Sequence, residues 1–134
     1  MPEPAEPARG TTLGRLFGED DRELAWVGIC NTARTRRHGL LGVREMGDDE
    51  CILLIPCRSI HTMGMKMSID VAYLDGGLRV LAMRPELPPG KMLLTRKMFA
   101  TRSVVEAAAG AFEKWGLTVG EQLSVRLGDS VVPP

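Results

Sequence analysis

The chain has 134 residues, of which 44% are hydrophobic and 25% are charged, a composition typical of one soluble globular domain. Its 17 basic and 17 acidic side chains give a formal net charge of zero. This balance argues against general nucleic-acid binding, which needs a basic excess. No window approaches the ~18 apolar residues of a membrane span. The apolar composition is unusual, with eight Met against two Trp, one Tyr and three Phe.

Both ends of the chain are rich in proline, which is typical of tails outside a sheet or helix. The sequence therefore predicts a tail over residues 1–12, a single folded domain over 13–127 and a second tail over 128–134. The acidic start is unlike a signal peptide, so we expect a cytoplasmic location. The odd number of cysteines argues against a disulfide framework, and Cys30, Cys51 and Cys57 are expected to be reduced thiols.

The first half of the domain carries signals for two strands and a short helix. Residues 23–30 are apolar on both faces, which predicts a buried strand. Asn31 or Thr32 can cap a polar helix that ends at Gly39, which we expect in the left-handed conformation. After a turn at 47–50, the apolar run 51–55 predicts a second buried strand that ends at Pro56.

The second half carries alternating patterns separated by turns. Residues 59–67 and 68–74 alternate, a turn at 75–77 predicts a hairpin, and 78–83 is the returning strand before a proline-rich loop. Residues 103–108 and 121–126 predict two more strands, with a helical turn over 111–115. Short strands with frequent turn signals predict a mainly β fold with short helices, a compact antiparallel sandwich or barrel.

The densest group of chemically interesting side chains lies in the alternating segment 59–67. On an extended strand, the side chains of His61, Met63, Met65 and Met67 would all point the same way. Imidazole and thioether groups are ligands that suit Cu(I), so a soft-metal site is one hypothesis. The alternative, which we favour, is that these methionines fill a core that is short of aromatic residues.

The cysteines suggest two further hypotheses. Cys57 and His61 are a nucleophile and a base, but four residues along a strand separate them by ~13 Å, and only a loop or helix at 56–59 would bring them together. Cys30, Cys51, Cys57 and His61 also resemble a zinc ligand set without its regular spacing. We therefore favour structural thiols.

Two carboxylates interrupt apolar strands. Asp70 lies within 68–74 and Glu106 lies within 103–108, and a buried carboxylate must be paired, hydrogen-bonded or neutral. A structural interpretation ties them to backbone amides or to an arginine such as Arg36. A functional interpretation combines them with His61 in a ligand pocket or a general acid and base pair.

Basic residues cluster in segments 34–38 and 91–102. They are candidates for binding an anionic or phosphate-bearing partner, but acidic stretches at 19–23 and 48–50 balance them, so we favour solvated faces. The sequence has no phosphate-binding glycine loop, no GxSxG elbow and no HExxH motif.

Several motifs, taken in order, resemble those of the DUF192 family. They are residues 36–42 (RRHGLLG), 61–65 (HTMGM), 69–75 (IDVAYLD), 105–110 (VEAAAG) and 119–120 (VG). The resemblance covers roughly residues 30–125 and implies a small jelly-roll domain of bacteria and archaea with no established activity. It carries over the positions Arg36, Gly39, Asp70, Glu106 and Gly110, with His61 and Thr62 in a variable motif. The family's Trp-Met-Lys-Asn stretch is replaced by residues 63–67 (MGMKM), which removes an aromatic ring and an amide from the candidate pocket.

The sequence thus favours a non-enzymatic ligand-binding or accessory domain. Arg36, Asp70 and Glu106 are predicted to form a buried polar network that supports a ligand site with His61 and Thr62. We expect no cofactor; the sequence does not identify a partner, and a small molecule and a protein are the candidates. The alternatives are a small hydrolase that uses His61 with Asp70 or Glu106, and Cu(I) binding through His61 and the three methionines.

Overall fold

The structure is a computed structural model that describes residues 11–93 and 99–131. Residues 1–10 and 132–134 of the predicted tails lie outside the described residues, as does the part of the basic segment that carries Arg96 and Lys97. Residues 128–131, which the sequence assigns to the second tail, instead continue the last strand. The described chain is mainly β, as the sequence predicts. It forms strands β1 (Thr12–Phe17), β2 (Glu23–Cys30), β3 (Glu50–Leu54), β4 (Ile60–His61), β5 (Ile69–Leu74), β6 (Val80–Leu87), β7 (Met92–Leu93), β8 (Ser103–Ala108) and β9 (Ser124–Val131), and helices α1 (Ala33–His38) and α2 (Ala111–Trp115).

Seven of these strands form one sheet in the order β6-β5-β8-β3-β2-β1-β9, and β4 pairs with β7 in a second, two-stranded sheet. The pair β2 and β3 is parallel, whereas the other strand pairs are antiparallel, so the sheet is mixed and not wholly antiparallel as predicted. A bridge between Arg79 and Gln122 joins the residues just before the two edge strands. The seven-stranded sheet does not close into a barrel, and the jelly-roll topology stays a prediction.

Local signals at α1 act as the sequence predicts. The Thr32 side chain accepts a hydrogen bond from the Thr35 backbone N–H, and the Thr35 hydroxyl accepts one from Thr32 in return, a capping box that begins the helix. Gly39 ends it with φ 46° and ψ −123°, which is not the left-handed helical conformation that the sequence predicts but is one that only glycine adopts without strain. The short helix therefore has a defined start and a defined end.

The main sheet is buried on both faces, and strand register decides which side chains share a face. One face packs against α2 and includes Val27, Cys51, Leu53, Ala72 and Ala107. The other packs against Ile60 of β4 and includes Cys30, Ile52, Val71, Tyr73 and Val104. We call these the α2 face and the β4 face.

The segment 59–67 is not the alternating strand that the sequence predicts. Only Ile60 and His61 are extended, and the chain then turns, because Gly64 has φ 79° and the Met65 N–H donates to the Thr62 carbonyl. Two further differences lie elsewhere: β6 continues through Pro85 to Leu87, and β9 begins at Ser124 rather than at 121. None of the helices in residues 11–93 and 99–131 is long and apolar enough to cross a membrane.

Candidate functional site

A cleft of about 170 Å³ opens on the β4 face, between the end of α1, the loop after β3, and β4. Its apolar wall consists of Leu40, Leu41, Leu54, Ile60 and Met65. Its polar lining consists of Arg36, Arg37, His38, Cys57, Ser59, His61 and Glu106. The cleft therefore brings Arg36, His61 and Glu106 together, three of the five predicted ligand-binding residues.

Glu106 lies at the floor of this cleft. Its register neighbours on the adjoining strands are Ile52 of β3 and Val71 of β5, so the carboxyl stands in an apolar surface. The residue is only 4% exposed, and within residues 11–93 and 99–131 its side chain has no hydrogen-bond or ion-pair partner. Burial raises the pKa of Glu106 from 4.5 to about 7. The cleft thus contains a carboxyl whose bonding capacity is unused.

Gly39 keeps that carboxyl uncovered. A Cβ atom at Gly39 would lie 3.9 Å from Oε1 of Glu106 and 3.9 Å from Cδ1 of Ile52. A longer side chain would extend over the carboxyl, in addition to the strain that the backbone conformation imposes. The glycine that ends α1 therefore also shapes the cleft.

The last turn of α1 makes one wall of the cleft basic. Arg36 is half-buried, and Arg37 and His38 are exposed. Both arginines line the cleft, so this wall carries positive charge. His61 is exposed at the rim, where its strand pairs with Met92 of β7.

Cys57 lines the cleft without forming the predicted pair with His61. Its thiol donates to the Ser59 carbonyl at 3.2 Å. Burial raises the pKa of the thiol, and the charge of Glu106 raises it further, while the Ser59 hydrogen bond and Arg36 lower it. A thiol held in its neutral form is a weak nucleophile, so this arrangement does not favour thiol catalysis.

Asp70 lies on the opposite face of the sheet from Glu106. Asp70 pairs with Ala107, whereas Glu106 pairs with Val71, so the two carboxyls point to the α2 face and the β4 face respectively. Asp70 accepts hydrogen bonds from the backbone N–H groups of Glu86 at 2.8 Å, Gly110 at 3.1 Å and Phe112 at 3.0 Å. The predicted network of Arg36, Asp70 and Glu106 is therefore not formed, and Asp70 instead ties the start of α2 to β6.

Thr62 is fully buried and is bonded to the loop that precedes β7. Its hydroxyl accepts from the Lys91 backbone N–H at 2.8 Å and donates to the Pro88 carbonyl at 2.7 Å. Its backbone carbonyl accepts from Gly90, and its N–H donates to Lys91. These bonds occupy the side chain, so Thr62 supports β4 and does not line the cleft.

The predicted row of methionines is absent. Met63 is 52% exposed in the turn, whereas Met65 is buried against the cleft wall, so the two do not share a face. Cys30 and Cys51 lie on opposite faces of the sheet. Among the residues that the structure describes, no group of three or more His, Cys, Asp or Glu side chains is arranged to hold a metal ion. The geometry expected for the copper and zinc hypotheses is therefore not found.

Residues 17–125 match the model of a family described as Uncharacterized ACR, DUF192. The chain belongs to the DUF192 family. Comparison with curated proteins finds no match. Segments 36–42 and 105–110 supply two sides of the cleft, since Arg36 and Gly39 come from the first and Glu106 comes from the second.

Two solved structures share this fold. A protein of unknown function from Novosphingobium aromaticivorans DSM 12444 is 19% identical, with a TM-score of 0.73 over 92% of this chain and 93% of that chain. A protein from Sinorhizobium meliloti 1021, described as a proposed transcription regulator, is 17% identical, with a TM-score of 0.74 over 90% of this chain and 98% of that chain. At these identities the likeness shows a common fold.

Proposed function

We propose that this DUF192 domain binds a small molecule in the cleft, with Glu106 as its anchoring group, and does not catalyse a reaction. The observation that carries this proposal is the buried carboxyl at the floor of an open cleft with no partner among the described residues. Buried polar groups in folded proteins are nearly always hydrogen-bonded. A ligand that supplies a donor to Glu106 would satisfy the carboxyl and remove the cost of its burial.

The surroundings of Glu106 favour binding over catalysis. Asp70, the other candidate acid, is on the opposite face, and Cys57 donates to a backbone carbonyl instead of to a base. The apolar wall and a few convergent polar groups are typical of a ligand pocket. We place this activity in the cytoplasm, as the sequence predicts.

A screen of small molecules tests the proposal. Carboxylic acids, amines, amino acids, sugars and nucleosides are added at millimolar concentration to ¹⁵N-labelled protein, and amide shifts are followed at Gly39 and His61. We expect at least one class to shift both amides. Ser59→Trp fills the mouth of the cleft and should abolish the response, whereas Ser124→Trp, an equal change at an exposed site on β9, should leave it unchanged. A panel with no response would overturn the proposal.

A second candidate function is hydrolysis, because His61 and Glu106 line the same cleft. In such a reaction His61 would act as the base, and Glu106, whose pKa is raised, would act as the acid. Ester, phosphoester and glycoside substrates test it, with His61→Ala as the control. Turnover that survives His61→Ala would contradict this role.

A further inference from the structure

Positive and negative groups line the same cleft, and among the described residues neither has a partner. Glu106 is at the floor, and Arg36 and Arg37 are on the wall that α1 provides. Within residues 11–93 and 99–131, neither guanidinium forms an ion pair or a hydrogen bond. A carboxyl and a guanidinium that line one cleft and do not bind each other are both available to a ligand.

This charge arrangement selects against simple ions. A purely cationic ligand suits Glu106 but is repelled by the two arginines at the wall. A purely anionic ligand suits the arginines but brings a like charge towards the buried carboxyl. A molecule that carries both an amine and an acid group satisfies each end, because hydrogen bonds between charged groups are the strong ones.

The separation of the two charges points to the shape of the ligand. Arg36 and Glu106 line the same cleft, but the guanidinium does not lie within ion-pair distance of the carboxyl. A gap therefore separates the two charges. The wall that flanks the carboxyl is apolar, with Leu40, Leu54 and Met65. A ligand that spans the two charges needs methylene groups between its own.

We propose that the cleft binds a small linear amino acid, with the ammonium group at Glu106, the carboxylate at Arg36 and the methylene groups against the apolar wall. This inference rests on the proposed function and names its ligand class. The volume of about 170 Å³ suits a molecule of this size.

The proposal predicts that affinity increases as the pH rises through 7, since an ammonium ion pairs with ionised Glu106. The other titratable and charged groups around the cleft are Cys30 on β2, Tyr73 on β5, Cys57, Arg36, Arg37, His38 and His61. The pKa of Cys30 is raised to about 11, and burial raises those of Cys57 and Tyr73. These three groups stay protonated from pH 6 to 8. Because His38 and His61 also line the cleft, the His38→Gln/His61→Gln variant is measured as well.

Calorimetric titration with 4-aminobutyrate, butylamine and butyrate tests the assignment. We expect 4-aminobutyrate to bind about tenfold more tightly than either single-charge probe, because each of those lacks one charge-assisted contact. Glu106→Gln and Arg36→Gln should each weaken its binding about tenfold. Arg44→Gln, an exposed arginine outside the cleft, should leave it unchanged. The increase with pH should persist in the double histidine variant and vanish in Glu106→Gln.

Three results would overturn this assignment. The first is butyrate binding as tightly as 4-aminobutyrate, and the second is unchanged affinity in Glu106→Gln. The third is no binding of 4-aminobutyrate while another class from the screen binds and is blocked by Ser59→Trp. In that third case the cleft remains a binding site and only the ligand class is wrong, whereas failure of the whole screen overturns the proposed function itself.

Discussion

Replacement of Glu106 by Gln should change how the stability of the protein depends on pH. The carboxyl has a pKa of about 7 in the folded state against 4.5 ordinarily. Below pH 4.5 both states hold the proton. As the pH rises, the unfolded state ionises first, so the free energy of unfolding falls until the pH passes 7. At ~1.4 kcal/mol per pKa unit, the loss above pH 7 is about 3 kcal/mol.

The amide that Glu106→Gln introduces stays neutral at every pH, so the variant lacks this loss. The unfolding free energy of the variant minus that of the wild type should therefore increase by about 3 kcal/mol between pH 4.5 and pH 8. This comparison cancels the pH-independent cost of the new amide. Urea unfolding at five pH values measures it, with Glu45→Gln as an exposed control that should stay within about 0.5 kcal/mol. If the unfolding free energies of the wild type and Glu106→Gln changed with pH in parallel, the carboxyl would be solvated or paired and its pKa would not be raised.

Three further outcomes follow from the described contacts. Asp70→Asn should lower the free energy of unfolding by about 2–3 kcal/mol, because the amide has one acceptor oxygen where the carboxylate uses two to accept from three backbone N–H groups. An unchanged urea midpoint would contradict this role. Thr62→Val should cost about 1–3 kcal/mol and Thr62→Ser much less, and equal losses on calorimetry would rule out a role for the hydroxyl. In the native protein, Cys57 should react with a disulfide reagent faster than Cys30 or Cys51, because those two are buried. If the Cys57→Ala variant were labelled as fast as the wild type, the structure would be contradicted.

Elements with strong local signals could be predicted from the sequence. The predicted strands 23–30 and 103–108 agree with β2 and β8, and the predicted helical turn 111–115 agrees with α2. The cap at Thr32 and the stop at Gly39 are also confirmed. In each case the residues that define the element are adjacent, so no long-range contact is needed to recognise it.

Segment 59–67 could not be predicted in the same way. Its alternation is a pattern of a buried strand, but hydrogen bonds from Thr62 to the distant Lys91 and Pro88 turn the chain after His61. The sequence pattern does not predict the strand over Thr12–Phe17 for a related reason. Its apolar alternation is weak, and its pairing with β2 and β9 stabilises it. Contacts of this kind outweigh the local preference.

The sequence singles out Arg36, His61 and Glu106, which line one cleft, but it does not predict how the candidate residues are arranged. Asp70 and Glu106 look alike in sequence, since each is a single acid within an apolar run. The pairing of Asp70 with Ala107 and of Val71 with Glu106 places the acids on opposite faces, and nothing in either strand alone fixes that register. The proximity of Gly39 to Glu106 likewise depends on how α1 packs on the sheet.

The carboxyl of Glu106 can be observed directly by ¹³C NMR in protein labelled at glutamate side chains. A pH titration that follows its Cδ shift, without and with 4-aminobutyrate, tests both the free site and its occupant. We expect a midpoint near 7 in the free protein and a lower midpoint when the ammonium group is bound. A midpoint near 4.5 in the free protein that does not change with the probe would mean that the Glu106 carboxyl is solvated and does not bind the ammonium group.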